Sequence, residues 1–220
     1  MFGGRGIDAG MTDPNPSALL MFPTTIGIYR LKNEGLIEAL EDAIWMLEDG
    51  DEAGAAWCEQ QGYDGYTSYA SLDDLPARAT AFAELQEELD QFVSAFAEKL
   101  YWDLSSQQLV LDSLWVNILA PGAAHSSHIH PNSVVSGTAY IDLPDAAGAI
   151  KFEDPRLDKM MAAPPVKSDT PNAHQRFYTR NPEAGDVLLW ESWLRHEVMP
   201  NRSEDPRLSI SFNYGLESQR

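Results

Sequence analysis

The sequence predicts a mainly β fold with N-terminal helices: two antiparallel sheets closed as a jelly roll, with the helices packed on one sheet. Three observations carry this expectation. Apolar residues recur at a 3.6 period in the first half, the period changes to two after Asp103, and short strand-like runs then alternate with Gly- and Pro-rich turns. With 220 residues, 44% of them hydrophobic, the chain can bury one sizeable core.

Residues 19–31 are apolar and β-prone, and Pro23 confines them to a sheet edge because proline donates no ladder hydrogen bond. A helix is expected over residues 33–48, where Leu36, Ile37, Leu40, Ile44 and Leu47 share one stripe. Residues 50–69, rich in Gly, Tyr and acid, read as a loop. Their Tyr63, Tyr66 and Tyr69 are assigned to covering a core edge in preference to lining a substrate entrance. The run Ser71-Leu72-Asp73-Asp74 supplies N-cap candidates for a second, long helix, with Pro76 in its first turn and a stripe of Phe82, Leu85, Leu89, Phe92, Phe96 and Leu100. That aromatic stripe is core.

After Asp103, Leu114, Val116 and Ile118 alternate with Ser113, Trp115 and Asn117, as a strand with one buried face requires. Further strands are expected at 134–143, 149–153, 175–179, 187–190, 194–199 and 207–214. Turns lie at 144–148 and 182–186, and a loop at 157–171. The organisation that follows is a flexible lead over 1–18 and a single domain over 19–220, helical over about 33–105 and jelly-roll over about 107–215.

The balance of 15 basic against 34 acidic residues, a formal charge of -19, excludes a nonspecific phosphate-backbone binder and disfavours an anionic membrane surface. No apolar run approaches bilayer length. The start has no apolar segment of signal-peptide type, and Met11 is a second candidate initiator. The single cysteine, Cys58, forbids an intrachain disulfide, fits a reducing cytoplasm, and reads as a small buried residue. Expected partners are a small-molecule, peptide or protein substrate, with no nucleic acid and no membrane; a homodimer is left open.

Three of the five histidines fall in His125-Ser126-Ser127-His128-Ile129-His130-Pro131. If the strand-like flanks continue through it, His128 and His130 are i and i+2 and project to one face, side by side, as a metal ion requires. A third candidate, His196, ends the apolar run that starts at Val187, where a histidine needs a partner. On the last strand Arg207, Ser209, Ser211 and Asn213 share one face, and Leu208, Ile210 and Phe212 the other. If the apolar face packs under the helices, the polar face lines the barrel, and Arg207 with a hydroxyl two residues on is a fitting carboxylate anchor.

These pieces together resemble the iron(II)/2-oxoglutarate-dependent oxygenases. They are similar in particular to a bacterial group with an N-terminal FPT strand and an HxHPxSxxSG core: here Phe22-Pro23-Thr24 and the run from His128 to Gly137. The matching tail is Gly185-Asp186-Val187-Leu188-Leu189-Trp190, then His196, then Arg207-x-Ser209. The resemblance implies a double-stranded β-helix of cupin-like type, iron(II) and 2-oxoglutarate as cofactors, and hydroxylation of a substrate with release of succinate and carbon dioxide. It further implies that Arg207, assisted by Ser209, pairs with the distal carboxylate of the cosubstrate, with Asn117 and Tyr140 able to hydrogen-bond it.

One departure stands out. The superfamily places Asp or Glu two residues after its first histidine, where this chain has His130. Three ligand sets follow: His128, His130 and His196; a shifted register that uses His125; or a carboxylate such as Asp142 or Glu153 from another strand. The i, i+2 spacing supports the first. Rival readings are a zinc hydrolase or hydratase with three imidazoles and an activated water, and a jelly-roll binding module. The Arg207-x-Ser209 anchor has no task in a zinc hydrolase.

Overall fold

The structure, a computed structural model, describes residues 20–156 and 161–218; the expected lead over 1–18 and the start of the 157–171 loop lie outside them. Before Asp103 come β1 (Ile26–Arg30), α1 (Glu34–Gly50), α2 (Glu52–Gln61), β2 (Gly65–Thr67), α3 (Leu75–Arg78) and α4 (Thr80–Lys99). After it come β3 (Gln107–Leu119), β4 (His125–His128), β5 (Val135–Asp142), β6 (Ile150–Glu153), β7 (Phe177–Arg180), β8 (Asp186–Glu191), β9 (His196–Val198) and β10 (Arg207–Ser218). The strands form a six-stranded sheet, β1-β8-β5-β10-β3-β2, and a four-stranded sheet, β4-β9-β6-β7. All pairs are antiparallel. This is the expected jelly roll. β1 is an edge strand, as expected, although it starts at Ile26 and Pro23 lies outside its ladder; the helical half lends β1 and β2 to the larger sheet.

The helices cover the outer face of the six-stranded sheet. Leu36, Leu40 and Ile44 of α1 and Phe82, Leu85, Leu89 and Phe96 of α4 are buried in one cluster with Val116, Ile118, Val187, Leu189, Leu208, Ile210 and Phe212. Burying each such side chain stabilises the fold by roughly 1.5–3 kcal/mol before ordering costs. The Phe212 ring crosses β5 at Gly137. A Cβ there would collide with that ring and sit 2.6 Å from the Leu188 carbonyl oxygen, so the last residue of the HxHPxSxxSG run is small for a packing reason.

Two expectations need correction. Residues 50–69 are not a loop but contain α2 and β2. Helix α2 buries only Gly54 and Cys58, so it carries no apolar stripe for periodicity to reveal. Its ends are set by caps instead: Asp51 accepts from the Gly54 N–H, and Gly62 takes the left-handed conformation at φ 65. The long second helix is also split, because Ala79 is extended (φ -144, ψ 140) between α3 and α4. Cys58 is buried, as expected. Among the described residues no helix is long and apolar enough to cross a membrane.

Asp51 ties this corrected region together. Its carboxylate accepts from Gly54 N–H (3.0 Å), Tyr66 Oη (2.8 Å) and Ser71 Oγ (2.5 Å). Burial pushes its carboxyl pKa up, but the bonds from Ser71, Gly54 and Tyr66 outweigh that and hold it below the usual carboxylate value. A depressed folded-state pKa gives stability that is present above the unfolded value of about 4 and lost as the pH falls through the folded one. Asp51→Asn should therefore cost about 1–2 kcal/mol in urea unfolding at neutral pH, and the gap to the parent should narrow below about pH 4. Gly137→Ala should cost about 1–3 kcal/mol by the same measurement at any pH.

Candidate metal centre

Because Leu208, Ile210 and Phe212 lie beneath the helices, the polar residues of β10 face the smaller sheet. Arg207, Ser209 and Asn213 are buried there, with Asn117 of β3 and Ser136, Thr138 and Tyr140 of β5. The register sets Ser209 opposite both Asn117 and Tyr140. The polar face of the last strand is thus interior, as the packing condition in the sequence required.

The histidines approach from the four-stranded sheet. His128 and His196 are register partners across β4 and β9, with ring centroids 4.3 Å apart. β4 ends at His128, so His130 does not reach the site by strand alternation. The chain turns, and the His130 N–H donates to the Ser192 carbonyl (3.0 Å), which sets its ring 5.2 Å from those of His128 and His196. One nitrogen from each of the three lies within 4.8 Å of the others, and among the described residues this is the group of His, Cys, Asp or Glu side chains able to hold a metal ion.

The tautomers follow from the hydrogen bonds. His128 Nδ1 donates to the Ser126 carbonyl (2.7 Å) and His196 Nδ1 to the Leu194 carbonyl (2.9 Å). A carbonyl only accepts, so each ring keeps its Nε2 lone pair free for a cation. Burial pushes the His196 pKa down to about 3, with nearby His128 adding to the shift, and pushes His130 down to about 4. Both rings are neutral at neutral pH, as ligation requires. Trp190 (4.6 Å) packs on His196 and Trp115 (5.9 Å) on His130.

The alternatives are placed elsewhere. His125 Nε2 meets Tyr63 Oη at 2.8 Å, and burial pushes its pKa down to about 4; it stands outside the three-histidine group. Glu153 pairs with Arg195 (3.9 Å), Asp142 lies in register with Leu208, and neither joins the group. His174 is exposed on a 3-10 turn. Of the three tyrosines, Tyr66 is buried, while Tyr63 and Tyr69 line the cavity that holds the histidines, about 760 Å3 in volume. Tyr63 packs against the core edge, as expected, and also lines the cavity, so both readings of it hold.

Arg207 is the second pole of the site. It is 1% exposed, and burial pushes its pKa below the ordinary arginine value. Nη1 donates to Ser209 Oγ (3.3 Å), and the guanidinium lies 5.2 Å from the Tyr140 ring centre. Arg207 Nε and Tyr140 Oη are buried without a hydrogen-bond partner, and among the described residues no carboxylate pairs with Arg207. A buried cation with no anion is costly unless a ligand supplies one, so the residues fit a bound carboxylate. Asn117 is committed at both ends: Oδ1 accepts from Thr67 Oγ1 (3.1 Å) and Nδ2 donates to Ser211 Oγ (3.1 Å).

Residues 113–213 match the family described as "Putative 2OG-Fe(II) oxygenase". A prolyl-4-hydroxylase of Pseudomonas putida is similar in structure at 17% identity, covering 87% of this chain and 89% of that one, with a TM-score of 0.56. HygX of Streptomyces hygroscopicus, solved with nickel and 2-oxoglutarate, is similar at 16% identity, 88% and 82% coverage and a TM-score of 0.56. SnoN, an α-ketoglutarate-dependent epimerase from nogalamycin biosynthesis, is similar at 16% identity, 88% and 79% coverage and a TM-score of 0.57. No curated protein sequence matches the chain. Those likenesses show a shared fold, and the family match lies on the strands that carry the histidines and Arg207. Over residues 113–213 the chain is similar to the 2OG-Fe(II) oxygenases, an enzyme family that uses iron(II) and 2-oxoglutarate.

Proposed function

We propose that His128, His130 and His196 hold iron(II), that Arg207 anchors the far carboxylate of 2-oxoglutarate, and that the enzyme hydroxylates a substrate with release of succinate and carbon dioxide. The observation that carries this reading is the fully buried Arg207, which pairs with no carboxylate among the described residues, in the same jelly roll as the three-histidine cluster. When bound, iron with its cosubstrate supplies oxidative decarboxylation coupled to insertion of one oxygen atom into a C–H bond.

The chain's own residues bind and orient. The Ser126 and Leu194 carbonyls fix the rings of His128 and His196, and the neutral His196 imidazole takes up a cation with no proton to displace. Ser209 steadies the Arg207 guanidinium, and Tyr140 Oη is free to donate to the same carboxylate. Asn117 holds the wall by bridging β2 and β10. Three neutral ligands leave the full metal charge in place, one unit more than a carboxylate-containing set would, and that favours an anionic cosubstrate. The single cysteine and the charge of -19 support a cytoplasmic setting free of nucleic acid.

The all-imidazole donor set also suits zinc, which would make the centre a hydrolase or hydratase with an activated water. Anaerobically purified protein separates the two. Iron content with succinate release on adding 2-oxoglutarate and oxygen supports the oxygenase; zinc content without turnover supports the rival.

In thermal melts of the metal-loaded protein, saturating 2-oxoglutarate at about 100 times its Kd should stabilise the parent by about 2.7 kcal/mol and leave Arg207→Met unmoved. Without ligands Arg207→Met should be as stable as the parent, or about 1 kcal/mol more stable, because it removes an uncompensated buried charge. His196→Ala should lose metal affinity by at least about 100-fold in equilibrium dialysis.

A further inference from the structure

We infer that the substrate is a basic polypeptide segment with apolar side chains, seated in a groove that passes His130. The inference rests on the oxygenase reading for the reaction, and not for the binding.

A second cavity, of about 600 Å3, adjoins the one that holds the three histidines, and the two share Ile129, His130, Pro131 and Ser133. His130 therefore stands at their junction. The floor of the second cavity is apolar and aromatic: Trp102, Trp193, Ile129 and Leu216 line it, and Trp193 is 46% exposed. Indole on a surface at this density marks a contact site more than a packing defect.

Charge selects the occupant. Asp103 and Glu191 line this cavity and Asp112 the larger one, and among the described residues neither lining contains a Lys or Arg. With a chain charge of -19 behind it, the groove repels anions other than one that reaches Arg207, and attracts cations. Lys and Arg side chains satisfy both features, since the cation sits over indole faces and pairs with the carboxylates while its alkyl stem covers the apolar floor.

Shape selects a polymer. Each cavity alone has the volume of a small-molecule site, and a ligand that reaches both past the shared residues 129–131 must be extended. β4, which supplies His125 and His128 to the larger cavity, pairs only with β9 among the described residues. Its other edge offers backbone groups to an extended chain.

The test uses the full chain without metal and fluorescence anisotropy of a short labelled peptide of mixed lysine, leucine and proline, against a counterpart with glutamate for lysine. The lysine peptide should bind and the glutamate peptide should not. The pair Asp103→Asn with Glu191→Gln should weaken binding about fivefold, and Trp193→Ala about tenfold. The pair Glu84→Gln with Glu87→Gln, the same charge change on the exposed face of α4, should leave binding within about twofold. The inference is overturned if the α4 pair weakens binding as much as the groove pair, if the lysine peptide does not bind, or if spermine binds as tightly with the same dependence on the variants. Peptide binding without succinate release would remove the oxygenase reading alone; succinate release without peptide binding would remove this one alone.

Discussion

The rest of the site depends on which way the last strand faces. β10 carries a polar row and an apolar row, and the helices claim the apolar one. The polar row is then forced inward, and with it a guanidinium that no carboxylate of the described protein neutralises. A fold that buries an arginine on such terms holds an unmet electrostatic demand, and the family's cosubstrate is a dianion that can meet it. The histidine cluster and the buried arginine thus come from the two sheets of one jelly roll, the first from the smaller sheet and its β4 end, the second from the larger.

Much of this was legible in the chain. The stripes of α1 and α4, the alternation in β3 and β10, and the histidine spacing all follow from side-chain period, which burial imposes directly. What was not legible had no period to show. Helix α2 rests on caps at Asp51 and Gly62 and buries two small residues, so its composition resembled a loop. The break at Ala79 is a backbone choice without a Gly or Pro to announce it at that position. Strand alternation does not account for His130: it sits past the end of β4 and is brought in by its backbone bond to Ser192, a contact between distant segments that spacing cannot encode.

The departure from the family's usual ligand set is also a matter of position. Where the superfamily has a carboxylate, this chain has a third imidazole, stacked parallel to His196 and leaning on Trp115. The available carboxylates are used otherwise: Glu153 pairs with Arg195, and Asp103 and Glu191 stand in the groove beyond His130. On the proposed reading, a neutral donor set inside an acidic shell would separate two tasks, drawing an anionic cosubstrate to the metal and Arg207, and a cationic partner to the rim.

The most direct measurement is the anomalous difference density, at the iron absorption edge, of crystals grown without oxygen and soaked with iron(II) and 2-oxoglutarate. The account predicts one peak bonded to the Nε2 atoms of His128 and His196 and to a ring nitrogen of His130, with a cosubstrate carboxylate on Arg207. A peak ligated by a carboxylate with His130 turned away, or a cosubstrate that leaves Arg207 unpaired, would contradict it.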